Sequence, residues 1–176
     1  MARPIPIGVR GEAEETVELK HTLAASHPDL PPVYSTPDMI RLMEIACFNA
    51  LQPFCDDGEI TVGVSIHIEH RAASEIGMRI RAEAELESFD GRFYTVRVTA
   101  HERHSADRGP QHARSSRDGV IGRDGVEIGR GTVGRAVVHV PTFLARLRQK
   151  AQTQATAAKG AGAKDTHRRA EASKEC

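Results

Sequence analysis

The chain has 176 residues, enough for one domain with a full core plus a tail, and its 24 basic residues balance 24 acidic ones. That balance supplies no field for nucleic acid or an anionic membrane, and no stretch approaches the roughly 20 apolar residues that span a bilayer. Cys47, Cys55 and Cys176 form no CxxC pair and the nine histidines show no zinc-ligand spacing, which argues against a disulfide framework and for a reducing compartment. "MARPIPIGVR" is too short and too poor in apolar residues for a signal peptide, so the expectation is a soluble cytoplasmic domain.

In chain order, Val17, Leu19, His21 and Leu23 alternate with Thr16, Glu18, Lys20 and Thr22, which predicts a half-buried strand over Glu14 to Leu23. A proline-rich connector, Ala25 to Pro32, leads into "VYSTPDMIRLMEIACFNAL". Thr36, Pro37 and Asp38 read there as a helix start, with a hydroxyl cap, a proline at the first helical position and an acid in the first turn. Pro53 and Gly58 stop the helix. From Ile60 to Val140 the pattern is strand-like. Val62, Val64, Ile66, Ile68 and His70 share one parity, and Met78, Ile80, Ala82, Ala84 and Leu86 alternate with charged residues. Asp90-Gly91 marks a hairpin turn, followed by Tyr94, Val96, Val98 and Ala100. Residues 103 to 125 read as a long polar hairpin loop before a last strand through "VEIGRGTVGRAVVHV". Residues 1–150 thus form one domain, and residues 151–176 a disordered or weakly helical tail without a hydrophobic face.

One strand, one long helix and about four antiparallel strands give an α+β chain. A helix this apolar is hidden by a sheet that curves round it, which is the hotdog fold, an antiparallel sheet wrapped round one long helix. Such a sheet leaves edge strands open, and hotdog domains usually close them by pairing as homodimers.

Several polar residues fall where chemistry could sit. Thr36 is either a helix cap or a hydroxyl at a helix N-terminus, where an oxyanion or thioester carbonyl can bind. Glu44 lies at the margin of the arc formed by Met39, Ile40, Leu42, Met43, Ala46, Cys47, Ala50 and Leu51. It is either an exposed partner of Arg41, three residues back, or a carboxylate available for acid–base work. His70 points as the core points, whereas His67 faces away; it is either a satisfied structural histidine or a member of a hydroxyl, carboxylate and imidazole set suited to acyl transfer or hydrolysis. Gly63 interrupts a β-branched strand, as a bulge or as a place of close backbone approach to a ligand. Arg135, in phase with Val133 and Val137, is either an ordinary strand cation or an anchor for phosphate or carboxylate.

"VYSTPDMIRLMEIAC", "GVSIHIEHRAA" and "GRAVVHVPTFLARLRQK", in that order, resemble the thioesterase family typified by fluoroacetyl-CoA thioesterase, a dimeric hotdog group. The resemblance covers roughly Glu14 to Lys150 without the 103–125 loop, and rests on the combined spacings Thr–x7–Glu and Gly–x6–His. It implies hydrolysis of an acyl-CoA thioester at a dimer interface, without metal or cofactor. Thr36, Glu44 and His70 match the catalytic residues, Gly63 the glycine whose backbone approaches substrate, and Arg135 the arginine of the last strand. Leu30 and Tyr34 stand in a segment where the fluoroacetyl-specific member has a phenylalanine lid, Pro37 where glycine is frequent, and Ile45 where an aromatic is common. The resemblance therefore implies the reaction, a short- or medium-chain acyl-CoA hydrolysis, rather than the acyl group. The alternative is a non-catalytic acyl-CoA-binding or regulatory hotdog domain. A hotdog hydratase is a third option, for which the set lacks the usual Asp–His pairing.

Overall fold

A computed structural model describes residues 4–103, 121–122 and 125–153. Most of the expected 103–125 loop, and residues 154–176 of the expected tail, lie outside the described residues. The elements are β1 (Arg10–Thr16), α1 (Leu23–Ser26), α2 (Thr36–Leu51), β2 (Glu59–His70), β3 (Arg79–Phe89), β4 (Tyr94–Arg103), the two-residue β5 (Ile121–Gly122) and β6 (Gly125–His139). Residues 140–153 form a further helix, α3. The chain divides by its contacts between Val137 and Val138, and α3 is described with the second unit.

The sheet runs β1-β3-β4-β6-β2, with β5 hydrogen-bonded to β6. The β1–β3, β3–β4 and β4–β6 pairs are antiparallel, and α2 packs against β1, β2, β3 and β4. The buried face of α2 is Met39, Leu42, Met43, Ala46, Cys47, Ala50 and Leu51, nearly the arc that the helical period predicts. It meets Ile80, Ala82, Ala84 and Leu86 of β3 and Val96, Val98 and Ala100 of β4, all buried. Burying a side chain the size of Leu42 or Met43 contributes about 1.5–3 kcal/mol. The β3–β4 turn is held by Asp90, whose Oδ1 accepts from the backbone N–H groups of Arg92 at 2.8 Å and Phe93 at 2.7 Å. Gly91 there takes φ +96°, a conformation that strongly favours glycine.

Two expectations need correction. The first strand runs over Arg10–Thr16, not Glu14 to Leu23; the chain turns at Leu19–His21 and again through α1, leaving Leu19 and Leu23 exposed. Its inward positions are Gly11, Ala13 and Glu15, because α2 lies so close. A Cβ at Gly11 would sit 2.5 Å from Ala46 O and 2.7 Å from Ala50 Cα. Small residues permit that approach and remove the hydrophobic signal of a strand.

The second correction concerns β2, which does not keep one parity. Thr61 is buried while Val64 and Ile66 are 49% and 43% exposed. Thr61 and Gly63 face α2 at one end and Ile68 and His70 at the other. Ser65 instead lies under Gly134, which alternates with the buried Val133 and Arg135. Inward positions 63 and 70 are an odd number apart, so the alternation breaks between Gly63 and Ser65.

Candidate functional site

Thr36 opens α2 but does not cap it. Ser35 is the cap: its Oγ accepts from the Asp38 N–H at 3.2 Å and donates to Asp38 Oδ2 at 2.6 Å. With that task done one residue earlier, the Thr36 hydroxyl is available to another partner, and it lies 2.8 Å from His70 Nδ1. Burial pushes the His70 imidazole below the ordinary histidine value, with the Ala72 backbone opposing. The ring is therefore neutral at pH 7, and a neutral ring nitrogen can accept the threonine proton. The pair stands at the positive end of a sixteen-residue helix, where negative charge is favoured.

Glu44 does not pair with Arg41. Arg41 turns the other way, onto Glu15 and Asp38. The partner of Glu44 is Arg135, whose Nη1 lies 3.4 Å from Oε1. Arg135 is 4% exposed and is itself fixed by Thr61, with Nε donating to Oγ1 at 3.2 Å and Nη2 to the carbonyl oxygen at 2.7 Å. All three guanidinium nitrogens are thus engaged inside the chain. A Cβ on Gly63 would fall on Glu44 Oε1, so the missing side chain makes room for this carboxylate. Among the described residues no donor meets Oε2 of this half-buried side chain.

Thr36, Ile40, Glu44 and Phe48 recur every four residues, a row along one flank of α2. Thr36 and Glu44 are eight residues apart, about 12 Å along the axis. The structure thus brings Thr36 to His70, and Glu44 to Gly63 and Arg135, and no hydrogen bond joins the two groups among the described residues. Chemically, one group offers a hydroxyl and a neutral imidazole, and the other a carboxylate fixed by a buried cation. Cys47, one turn beyond Glu44, is no rival nucleophile: burial pushes its thiol up to about 12, and only the thiolate is reactive. Among the described residues no group of three or more His, Cys, Asp or Glu could hold a metal ion.

Sequence reasoning missed Ser35 and Thr61. Ser35-x-x-Asp38 carried the signal of a capping box, which the neighbouring Thr36 obscured. Thr61 had none, because a threonine in a strand is commonplace. Tyr34 also differs from a lid residue. It is buried, with its hydroxyl donating to Glu15 Oε1 at 2.6 Å, and Leu30 is the exposed apolar residue of that segment.

The sequence matches the family described as fluoroacetyl-CoA-specific thioesterase over residues 17–109. The fluoroacetyl-CoA thioesterase of Streptantibioticus cattleyicolor is 35% identical over 136 residues, which is 77% of this chain and 83% of that protein. Among solved structures, the fluoroacetyl-CoA thioesterase FlK matches with a TM-score of 0.66 at 32% identity, covering 84% of this chain and 98% of that one. A thioesterase superfamily member from Thermus thermophilus matches at 0.70 and 25% identity, over 88% and 98%. A hot-dog-like protein from Thermanaerovibrio acidaminovorans, at 0.64 and 16% identity over 82% and 92%, shares the fold. With its sheet curled round a single helix as in these structures, the chain belongs to the fluoroacetyl-CoA-specific thioesterase family and is a thioesterase with the hotdog fold.

Proposed function

We propose that the chain hydrolyses a short- or medium-chain acyl-CoA thioester with Thr36, Glu44 and His70. The observation that carries this reading is the 2.8 Å contact of Thr36 Oγ1 with His70 Nδ1 at the start of α2. Hydrolysis puts a water oxygen on the acyl carbon and returns a proton to the departing CoA sulfur. A neutral imidazole can take the first proton and give back the second. The Thr36 hydroxyl would bind or activate the carbonyl or the attacking water at the favourable end of the helix dipole, and the Gly63 backbone amide would serve the Glu44 end of the site. Glu44 acts as base towards water or as nucleophile through an acyl anhydride. Arg135 steadies the substrate end of the site through its contact with Glu44. Each of these steps uses side-chain and backbone groups alone, so the reading needs no metal or cofactor.

The reading extends to a cytoplasmic homodimer with the site at its interface. β2 ends the sheet order, its Val64 and Ile66 are exposed, and so are Ile45 and Phe48 of α2 on either side of the Glu44 turn. A second copy paired along β2 would cover these side chains and the open edge. No helix among the described residues is long and apolar enough to cross a membrane.

The test is a panel of acyl-CoAs, fluoroacetyl-CoA included, incubated with the protein and a thiol reagent. Release of CoA supports the reading, and binding without release would convert the protein into a sensor. A single turnover in labelled water then separates the two routes, because only the anhydride route leaves label in the Glu44 carboxylate.

A further inference from the structure

A second polar cluster lies behind the helix start, on the side away from Glu44. Glu15 is an inward residue of β1, and both its carboxylate oxygens are used within the chain. Oε1 accepts from the Tyr34 hydroxyl at 2.6 Å, and Oε2 takes Arg41 from the second turn of α2. His21 Nε2 lies 3.8 Å from Oε2. Arg41 also reaches Asp38 Oδ1 at 3.5 Å, the residue whose other oxygen accepts from the Ser35 cap. Tyr34 is 1% exposed, and its backbone is tied on both sides. Its N–H donates to Ser74 O at 2.8 Å, four residues beyond His70, while the Ser35 N–H donates to His21 O at 2.9 Å. The lead-in to Thr36 and the segment leaving His70 therefore meet at Tyr34.

A carboxylate in this place is costly to desolvate, and an apolar pair would fill the same volume at less cost. What the polar arrangement adds is direction. One short acceptor fixes the phenol, one guanidinium fixes the second helical turn, and both converge on a single strand residue.

We propose that Glu15 and Tyr34 are positioning residues for the thioesterase site, holding the first turn of α2 so that Thr36 Oγ1 stays on His70 Nδ1. This inference rests on the assignment of Thr36 and His70 made above. It assigns a task to residues outside the Thr36–His70 contact, and it accounts for a buried tyrosine in the segment that leads into Thr36.

The experiment uses the full chain and compares Tyr34→Phe and Glu15→Gln with wild type, each alone and combined with Thr36→Ala. Loosening the hydroxyl by a fraction of an ångström to an ångström is expected to lower kcat about 10- to 100-fold with KM changed less than about twofold. In the Thr36→Ala background the same substitutions should have almost no further effect, because they act through Thr36. An unchanged kcat in Tyr34→Phe, or an equal loss in both backgrounds, overturns the proposal. The imidazole nitrogen chemical shifts of His70, read by NMR, supply a measurement that needs no turnover. If wild type releases no CoA from any member of the panel, the catalytic reading fails. The positioning inference is then decided by the Nδ1 shift, which moves in Tyr34→Phe if the network holds the contact and stays put if it does not.

Discussion

The two ends of the polar row on α2 are built on opposite principles. At the first turn, Thr36 and His70 are neutral groups, joined by one hydrogen bond and placed near solvent. Two turns on, Glu44 is a partly buried carboxylate, and its partner Arg135 is clamped by Thr61. The neutral imidazole at the helix start can take a proton from a reacting group and return it. The carboxylate two turns on is held in place by a buried guanidinium that Thr61 fixes in turn. One helix therefore carries a proton-transfer end and a fixed-charge end, and disabling either tests whether both are needed.

The largest effects are expected from the reacting groups. His70→Ala and Glu44→Gln should each lower kcat by about 10² to 10⁴, with circular dichroism showing that the variants stay folded. Near wild-type turnover in both would sink the assignment. The pH profile sharpens the same contrast. Burial holds His70 below its usual 6.5, so the acid limb of kcat/KM belongs under pH 6.5, and a limb above it would contradict a desolvated imidazole. The sign for stability agrees. The neutral, partly buried ring favours the fold fully above 6.5, and that contribution is lost as pH falls from there through the folded value.

Gly63→Ala attacks the charged end alone. Its methyl group would lie 2.0 Å from Glu44 Oε1, and displacing the carboxylate by about 1 Å should cost on the order of 10² in kcat. The Thr36–His70 contact should survive, as read from the His70 ring shifts. Arg135→Met should lower stability by about 1–3 kcal/mol through the loss of its hydrogen bonds to Thr61. The Glu44 pair adds little to that figure, since this carboxylate is about a third exposed and solvent screens it. Denaturant midpoints measure the loss, and a midpoint equal to wild type would show that the clamp does not hold. The smallest effect separates capping from chemistry. Ser35→Ala should cost about 1 kcal/mol of stability, whereas Thr36→Ala should change stability by less than about 0.5 kcal/mol while lowering turnover. If Thr36→Ala were the more destabilising, the cap would be misplaced by one residue.

Much of this arrangement is legible in the amino-acid order. The buried arc of α2 follows from the helical period, β3 and β4 from strict alternation, and their turn from Asp90-Gly91. The order was silent where a contact replaced a pattern. β1 escaped because Gly11 and Ala13 must be small to admit α2, so the strand announces itself by what it lacks. The Glu44–Arg135 pair joins residues 91 apart in sequence, while Arg41 stood three residues away as the obvious partner. Local spacing favours the near cation, and only the fold shows that Glu15 already holds it. Likewise Ser35 and Thr36 are equally good caps by residue type, and the choice between them is made by His70, 34 positions later.

The broken alternation of β2 makes residue count part of the site. Gly63 and His70 serve the middle and the first turn of α2 from one strand, with no loop between them to absorb a change in length. Removing or adding a single residue between Ser65 and His70 would rotate the imidazole to the outer face of the sheet while Gly63 stayed beneath Glu44. Length changes that surface loops accept easily are forbidden over these few positions, and the strand works as a ruler whose graduations keep the two halves in phase.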